Sequence, residues 1–113
     1  MSKYQFTFID SFKKEYKELK KRNIDLDNDF ENFINEFDHL KGDVVIGTKG
    51  AKKIRMRGKN RGKSGAYRIY YYFVLDDKVF LLRMFKKSDI EDVSFKELFE
   101  ISKIVNSIKE SYK

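Results

Sequence analysis

Between Val44 and Leu75 stand nine basic residues and no Asp or Glu: Lys49, Lys52, Lys53, Arg55, Arg57, Lys59, Arg61, Lys63 and Arg68. Most fall in KKIRMRGKNRGKSGAYRIYYYF, Lys52 to Phe73, where two β-rich arms flank a basic loop punctuated by Gly58, Gly62 and Gly65. Arms of this kind pair as strands, and like charges facing one another across strands repel. The chain must therefore gather these cations on a surface where solvent or a polyanion screens them. The protein has 25 basic and 18 acidic residues in all; setting the nine aside leaves 16 against 18, so the basic character is local. A local basic stripe is a footprint for phosphates, with a solvated loop lacking a specific partner as the competing reading.

At 113 residues the chain reads as one domain, residues 1–113, with a single core. Eleven Phe and seven Tyr supply much of that core from few positions. The absence of cysteine excludes a disulfide framework and thiolate metal sites, which fits a reducing cytoplasm. The charged N-terminus has no apolar signal segment, and no apolar run approaches the roughly 20 residues of a membrane span.

Tyr4 to Ile9 alternates apolar and polar residues as a half-buried strand does. Asp10 or Ser11 then caps a helix carrying Phe12, Tyr16 and Leu19 on one face. After Asn23 a second amphipathic segment places Leu26, Phe30, Phe33, Ile34, Phe37 and Leu40 on one stripe, with Asp25, Asp27, Asp29, Glu31, Glu36 and Asp38 opposite. The two helices form a hairpin. Val44 to Ile46 reads as a brief strand or lead-in. Strands follow at about Lys52 to Arg57, Ala66 to Leu75 and Lys78 to Lys86. Ser88 starts one turn through Asp92, and Ser94 with Glu97 makes a capping box for a last helix whose Phe95, Leu98, Ile101, Val105 and Ile108 face the core. The class is α+β: β-α-α-β-β-β-α, with a mostly antiparallel sheet, an N-terminal helical hairpin and a C-terminal helix.

Taking Asp76 and Asp77 as a two-residue hairpin loop sets Leu75 against Lys78 and Arg68 against Phe85. Alternation then assigns Ile69, Tyr71, Phe73, Phe80, Leu82 and Met84 to the core face. The other face carries Arg68, Tyr70, Tyr72, Val74, Val79, Leu81, Arg83, Phe85 and Lys87. With Ile54 and Met56 in the core, Lys53, Arg55 and Arg57 join Arg68. Such a wall is screened by the acidic second helix or by solvent, or else suits a polyphosphate chain held by counterion release, with Tyr70, Tyr72 and Phe85 either stacking bases or packing in the core.

Other chemistries have little to stand on. His39 is the lone histidine, at the end of an acidic helix, where a capping or solvated role is the simple one. No His or Cys cluster suits a metal, and the glycines lie between strands rather than before a helix as a phosphate loop requires. No cofactor is called for.

KKIRMRGKNRGKSGAYRIYYYF, followed by a strand ending in FKKSDIEDVS and a last helix, resembles the HigB branch of the RelE/ParE toxin superfamily over Gly50 to Ser94. The resemblance implies the RelE-like fold and a toxin of a type II toxin–antitoxin system. It implies a ribosome-dependent endoribonuclease that cuts mRNA in the A site of the 30S subunit through attack of a 2′-OH on the adjacent phosphate. By position, Lys53, Arg55, Arg68 and Lys87 match the catalytic cations. Arg57, Lys59, Arg61, Lys63 and Arg83 are the contacts to mRNA or rRNA. The prototype's tyrosine near the start of the final helix is missing, since the chain reads Asp92, Val93, Ser94, Phe95; the proton-transfer group is then Lys53, Lys87 or Asp92. The implied partners are the ribosome, mRNA and a cognate antitoxin with a helix-turn-helix domain, all cytoplasmic. A ParE-like gyrase inhibitor or a non-catalytic nucleic-acid-binding module is the alternative, because both branches share the fold.

Overall fold

A computed structural model describes residues 3–57, 67–86 and 93–113. The order is β1 (Gln5–Phe8), α1 (Asp10–Lys20), α2 (Leu26–Glu36), a 3₁₀ turn (His39–Lys41), β2 (Asp43–Val44), β3 (Lys52–Met56), β4 (Tyr67–Val74), β5 (Lys78–Lys86) and α3 (Phe95–Ser111). The five strands form one sheet in the order β1-β5-β4-β3-β2. β1 runs parallel to β5 and every other pair is antiparallel. No helix among the described residues is long and apolar enough to cross a membrane.

Both faces of the sheet are covered. On one, Phe12 and Leu19 of α1 and Leu26, Phe33 and Phe37 of α2 pack on Met56, Tyr67, Ile69, Tyr71, Val79, Leu81 and Met84. On the other, Ile101, Val105 and Ile108 of α3 pack on Ala51, Tyr70, Leu82 and Phe85, with Tyr72, Val74 and Phe80 partly buried against them. Each fully buried side chain of this size stabilises the fold by about 1.5–3 kcal/mol relative to exposure. Tyr70, Tyr72 and Phe85 are thus packing residues beneath α3.

The hairpin register agrees with expectation only at its far end. Tyr67 to Tyr70 pair with Lys86 to Arg83, Arg68 opposite Phe85, but Tyr71 pairs with Leu81 and Val74 with Lys78. The residue left over is Leu82, a β-bulge, and the loop lengthens to Leu75–Asp77 with Asp76 and Asp77 at positive φ. The bulge reverses the faces from there to the turn. Val79 and Leu81 join the α1–α2 core and Phe80 and Leu82 face α3, the opposite of simple alternation. Ser11 does not cap α1, which starts after Ile9 without a side-chain cap. Its hydroxyl instead donates to the Leu82 carbonyl at 2.6 Å, satisfying the bulged residue.

Three further assignments change. Leu40 is 73% and Phe95 92% exposed, so neither belongs to a buried stripe. Asp29, expected on the polar face of α2, is buried. It lies with Asn23, whose amide donates to the Tyr67 hydroxyl at 3.0 Å and to Asp29 at 3.5 Å, tying the start of α2 to the start of β4. At the other end of β4 the Tyr71 hydroxyl donates to the His39 carbonyl at 2.7 Å. Burial pushes Tyr71 up to about 12, so it stays a donor across the neutral range. His39 stacks flat on Phe73 at 3.7 Å. Ser94 does cap α3, accepting from the Glu97 N–H at 3.2 Å.

Candidate RNA-binding cleft

The sheet narrows towards the end where the cations lie. β1 pairs with Lys78 to Leu81 of β5, and β2 pairs with only Lys52 and Lys53 of β3. Beyond Lys53 no described strand covers the outer edge of β3. Between that edge and α2 opens a cleft of about 740 Å³ lined by Asp29, Asn32, Phe33, Glu36, Phe37, Lys41, Asp43, Lys53, Ile54, Arg55, Met56, Arg57 and Arg68. Lys53, Arg55 and Arg68 line the edge of this cleft. Arg55 is the cross-strand partner of Arg68 and Lys53 that of Tyr70, so the three point to one side of the sheet, the side of Tyr70 and Phe85 on which α3 packs and not that of α2, with Cβ atoms of directly opposed residues about 5 Å apart.

These cations are left unneutralised. The fold's ion pairs lie elsewhere, among them Lys20 with Asp27 at 2.6 Å, Lys21 with Glu18 at 3.2 Å and Lys113 with Glu110 at 3.0 Å, and several other exposed lysines among the described residues are likewise unpaired. Among the described residues, Lys53, Arg55, Arg57 and Arg68 enter no ion pair, although carboxylates line the same cleft. A directly opposed pair of like charges costs roughly 0.2–1 kcal/mol. An anionic ligand would turn that cost into binding.

Arg83 has a different place. Its guanidinium bonds Glu15 at 2.7 and 3.0 Å and Glu97 at 3.0 Å and lies over the Phe85 ring, 4.7 Å from its centroid. Burial disfavours its charge, but the Glu15 hydrogen bonds and both carboxylates outweigh this and hold its pKa above the ordinary arginine value. Arg83 therefore fastens α1 and α3 to β5. Glu15 also accepts from the Met84 N–H at 2.9 Å, covering the edge that β1 leaves bare. Phe95, in the region where the prototype's tyrosine was sought, stands exposed at the start of α3. Lys59, Arg61, Lys63, Lys87, the Ser88 turn and Asp92 lie outside the described residues.

Sequence reasoning passed over Asn32 and took Glu36 only as part of the acidic face of α2, yet both are among the residues lining the cleft. They sit four residues apart on α2, the spacing that puts two side chains on one face, but nothing in the sequence says which way that face looks.

The family model for the RelE toxin of the RelE/RelB toxin–antitoxin system matches residues 9–112. Among solved structures, a mutant of the E. coli toxin RelE in the free state is similar at 18% identity, covering 80% of this chain and 90% of that one, with a TM-score of 0.46. With nearly its whole length matched by the family model, the chain belongs to the RelE toxin family.

Proposed function

We propose that the chain is a ribosome-dependent mRNA endoribonuclease of the HigB branch, the toxin of a type II toxin–antitoxin pair, acting in the cytoplasm at the A site of the 30S subunit. The observation that carries this is the free edge of β3, beside which Lys53, Arg55 and Arg68 share one side of the sheet and, with Arg57, enter no ion pair among the described residues. In the reaction the 2′-oxygen forms a bond to the adjacent phosphorus, the bond to the 5′-oxygen breaks, and a proton passes from the first oxygen to the second. Holding the sugar and phosphate in line and stabilising the charge of the pentacovalent transition state are tasks for Lys53, Arg55 and Arg68, joined by Lys87. Arg57, Lys59, Arg61 and Lys63 hold the flanking phosphates of mRNA or rRNA. Arg83 is left out, because two carboxylates claim its charge. Proton transfer falls to Lys53, Lys87 or Asp92. An antitoxin with a helix-turn-helix domain would mask the cationic cleft.

Primer extension on cellular mRNA after brief expression tests the reading. Breaks should appear at codon-linked positions only while translation runs, and Arg68→Ala should abolish them in a folded protein. Growth arrest with intact mRNA and inhibited DNA gyrase would place the chain with ParE-like toxins instead.

A further inference from the structure

In an antiparallel sheet a residue turns its N–H and C=O to one neighbouring strand, and the next residue turns both to the other side. The Ala51 carbonyl accepts from the Val45 N–H at 2.9 Å, so Ala51, and by alternation Lys53 and Arg55, direct their main-chain groups outward to the side of β2. Lys52, Ile54 and Met56 direct theirs inward to β4. The pairing of β2 stops at Asp43 opposite Lys53, and no described strand pairs with Arg55 on that side. The N–H and C=O of Arg55 therefore stand open at the sheet edge, beside the cleft of about 740 Å³. Such an edge is a template for one more strand.

The two faces of the sheet say what that strand must carry. Residues opposed across strands share a face. One residue of an added strand then stands beside Arg55, on the side of Lys53 and Arg68, where the cations enter no ion pair among the described residues and a carboxylate fits. Its two neighbours stand beside Ile54 and Met56 on the opposite side, where Phe33 and Phe37 of α2 line the cleft and aliphatic side chains fit. β2 already begins this pattern, since Asp43 stands opposite Lys53. We propose that the free edge of β3 is the docking site for an extended segment of a protein partner in which acidic and aliphatic residues alternate, added as a further strand beside Arg55. The inference rests on the toxin reading for one point only: a segment that covers Lys53, Arg55 and Arg68 excludes RNA from them, which is the act of an antitoxin.

The probe is a capped heptapeptide of alternating Glu and Val, titrated into the full-length, ¹⁵N-labelled protein while amide hydrogen exchange is followed. In the free protein the Arg55 amide should exchange fast and those of Ile54 and Met56 slowly, because β4 holds the latter two. Bound peptide should slow exchange at Arg55 by about tenfold or more. A peptide strand turns alternate N–H groups to the edge it joins, so N-methylation of one alternate set should weaken binding by about tenfold or more, and N-methylation of the other set should leave it unchanged. Lys in place of each Glu should also weaken binding by about tenfold or more. An Arg55 amide that is protected already in the free protein, or that stays fast with peptide bound, overturns the proposal. So does equal binding of the two N-methylated peptides, or protection of Arg55 by a single-stranded RNA oligonucleotide and not by the peptide. The titration needs no cleavage. A protein that takes the peptide in this way but leaves translated mRNA whole would count against the ribonuclease reading and not against the docking edge.

Discussion

Replacing Arg68 with Met removes the charge at the centre of the cleft while keeping most of the stem that packs on the sheet. Arg68 faces Arg55 directly and Lys53 on the diagonal. The direct like-charge pair costs up to about 1 kcal/mol. Each diagonal neighbour, about 7–8 Å away in screened water, adds a few tenths. Arg68→Met should therefore stabilise the free protein by about 1 kcal/mol. With an unfolding entropy near 2.1 cal/mol/K per residue and 113 residues, that raises Tm by about 4 °C. Because the repulsion is electrostatic, the gain should shrink towards zero in 1 M salt, where the Debye length is about 3 Å. Calorimetry of both proteins at low and high salt measures this, and the same preparations should differ by at least about 100-fold in mRNA cleavage. If Arg68→Met is less stable than wild type, or its gain is indifferent to salt, the cations are packing residues and the idea of a surface held ready for a polyanion fails.

Arg83→Met should act in the opposite direction, since it strands Glu15 and Glu97 near each other with side-chain exposures of 21% and 28%. Lying between a surface pair and a fully buried one, the loss should be about 2–3 kcal/mol, seen as a lower urea midpoint at unchanged slope. Gly42 has ordinary φ, but a Cβ there would overlap the Tyr71 ring and hydroxyl, so Gly42→Ala should destabilise by about 1–3 kcal/mol in the same assay. The carboxyl of Asp27 is held below the usual carboxylate range by its hydrogen bonds from Lys20 and Tyr16. A lowered folded pKa gives stability that is present above the unfolded value, about 3.9, and lost as pH falls through the folded one. Asp27→Asn should therefore be less stable than wild type at pH 6, and the two should converge in acid melts below about pH 4.

The order of elements, the Arg68–Phe85 register and the Ser94 cap were legible because each rests on a local pattern: alternation, a two-aspartate turn, a serine three residues before a glutamate. The bulge at Leu82 was not. Val79 to Leu82 is an unbroken apolar run, and when helices cover both faces of a sheet, a strand buried on each side carries no alternation to reveal its register. Partners distant in sequence hid the rest. Asp29 is buried because Asn23 and Tyr67 receive it, and Arg83 is claimed by Glu15 from 68 residues away; composition makes both look like solvent-facing charges. Phe95 has the spacing of a core residue, yet it stands exposed at the first position of α3.

Single-turnover cleavage of end-labelled mRNA on purified ribosomes with a vacant A site tests the central claim most directly. Wild-type protein should cut at the A-site codon and leave a 5′ fragment ending in a 2′,3′-cyclic phosphate, with naked mRNA untouched, and Arg55→Met and Arg68→Met should each slow the reaction by at least about 100-fold. Cleavage of naked mRNA at the same rate, or full activity in either variant, would contradict it.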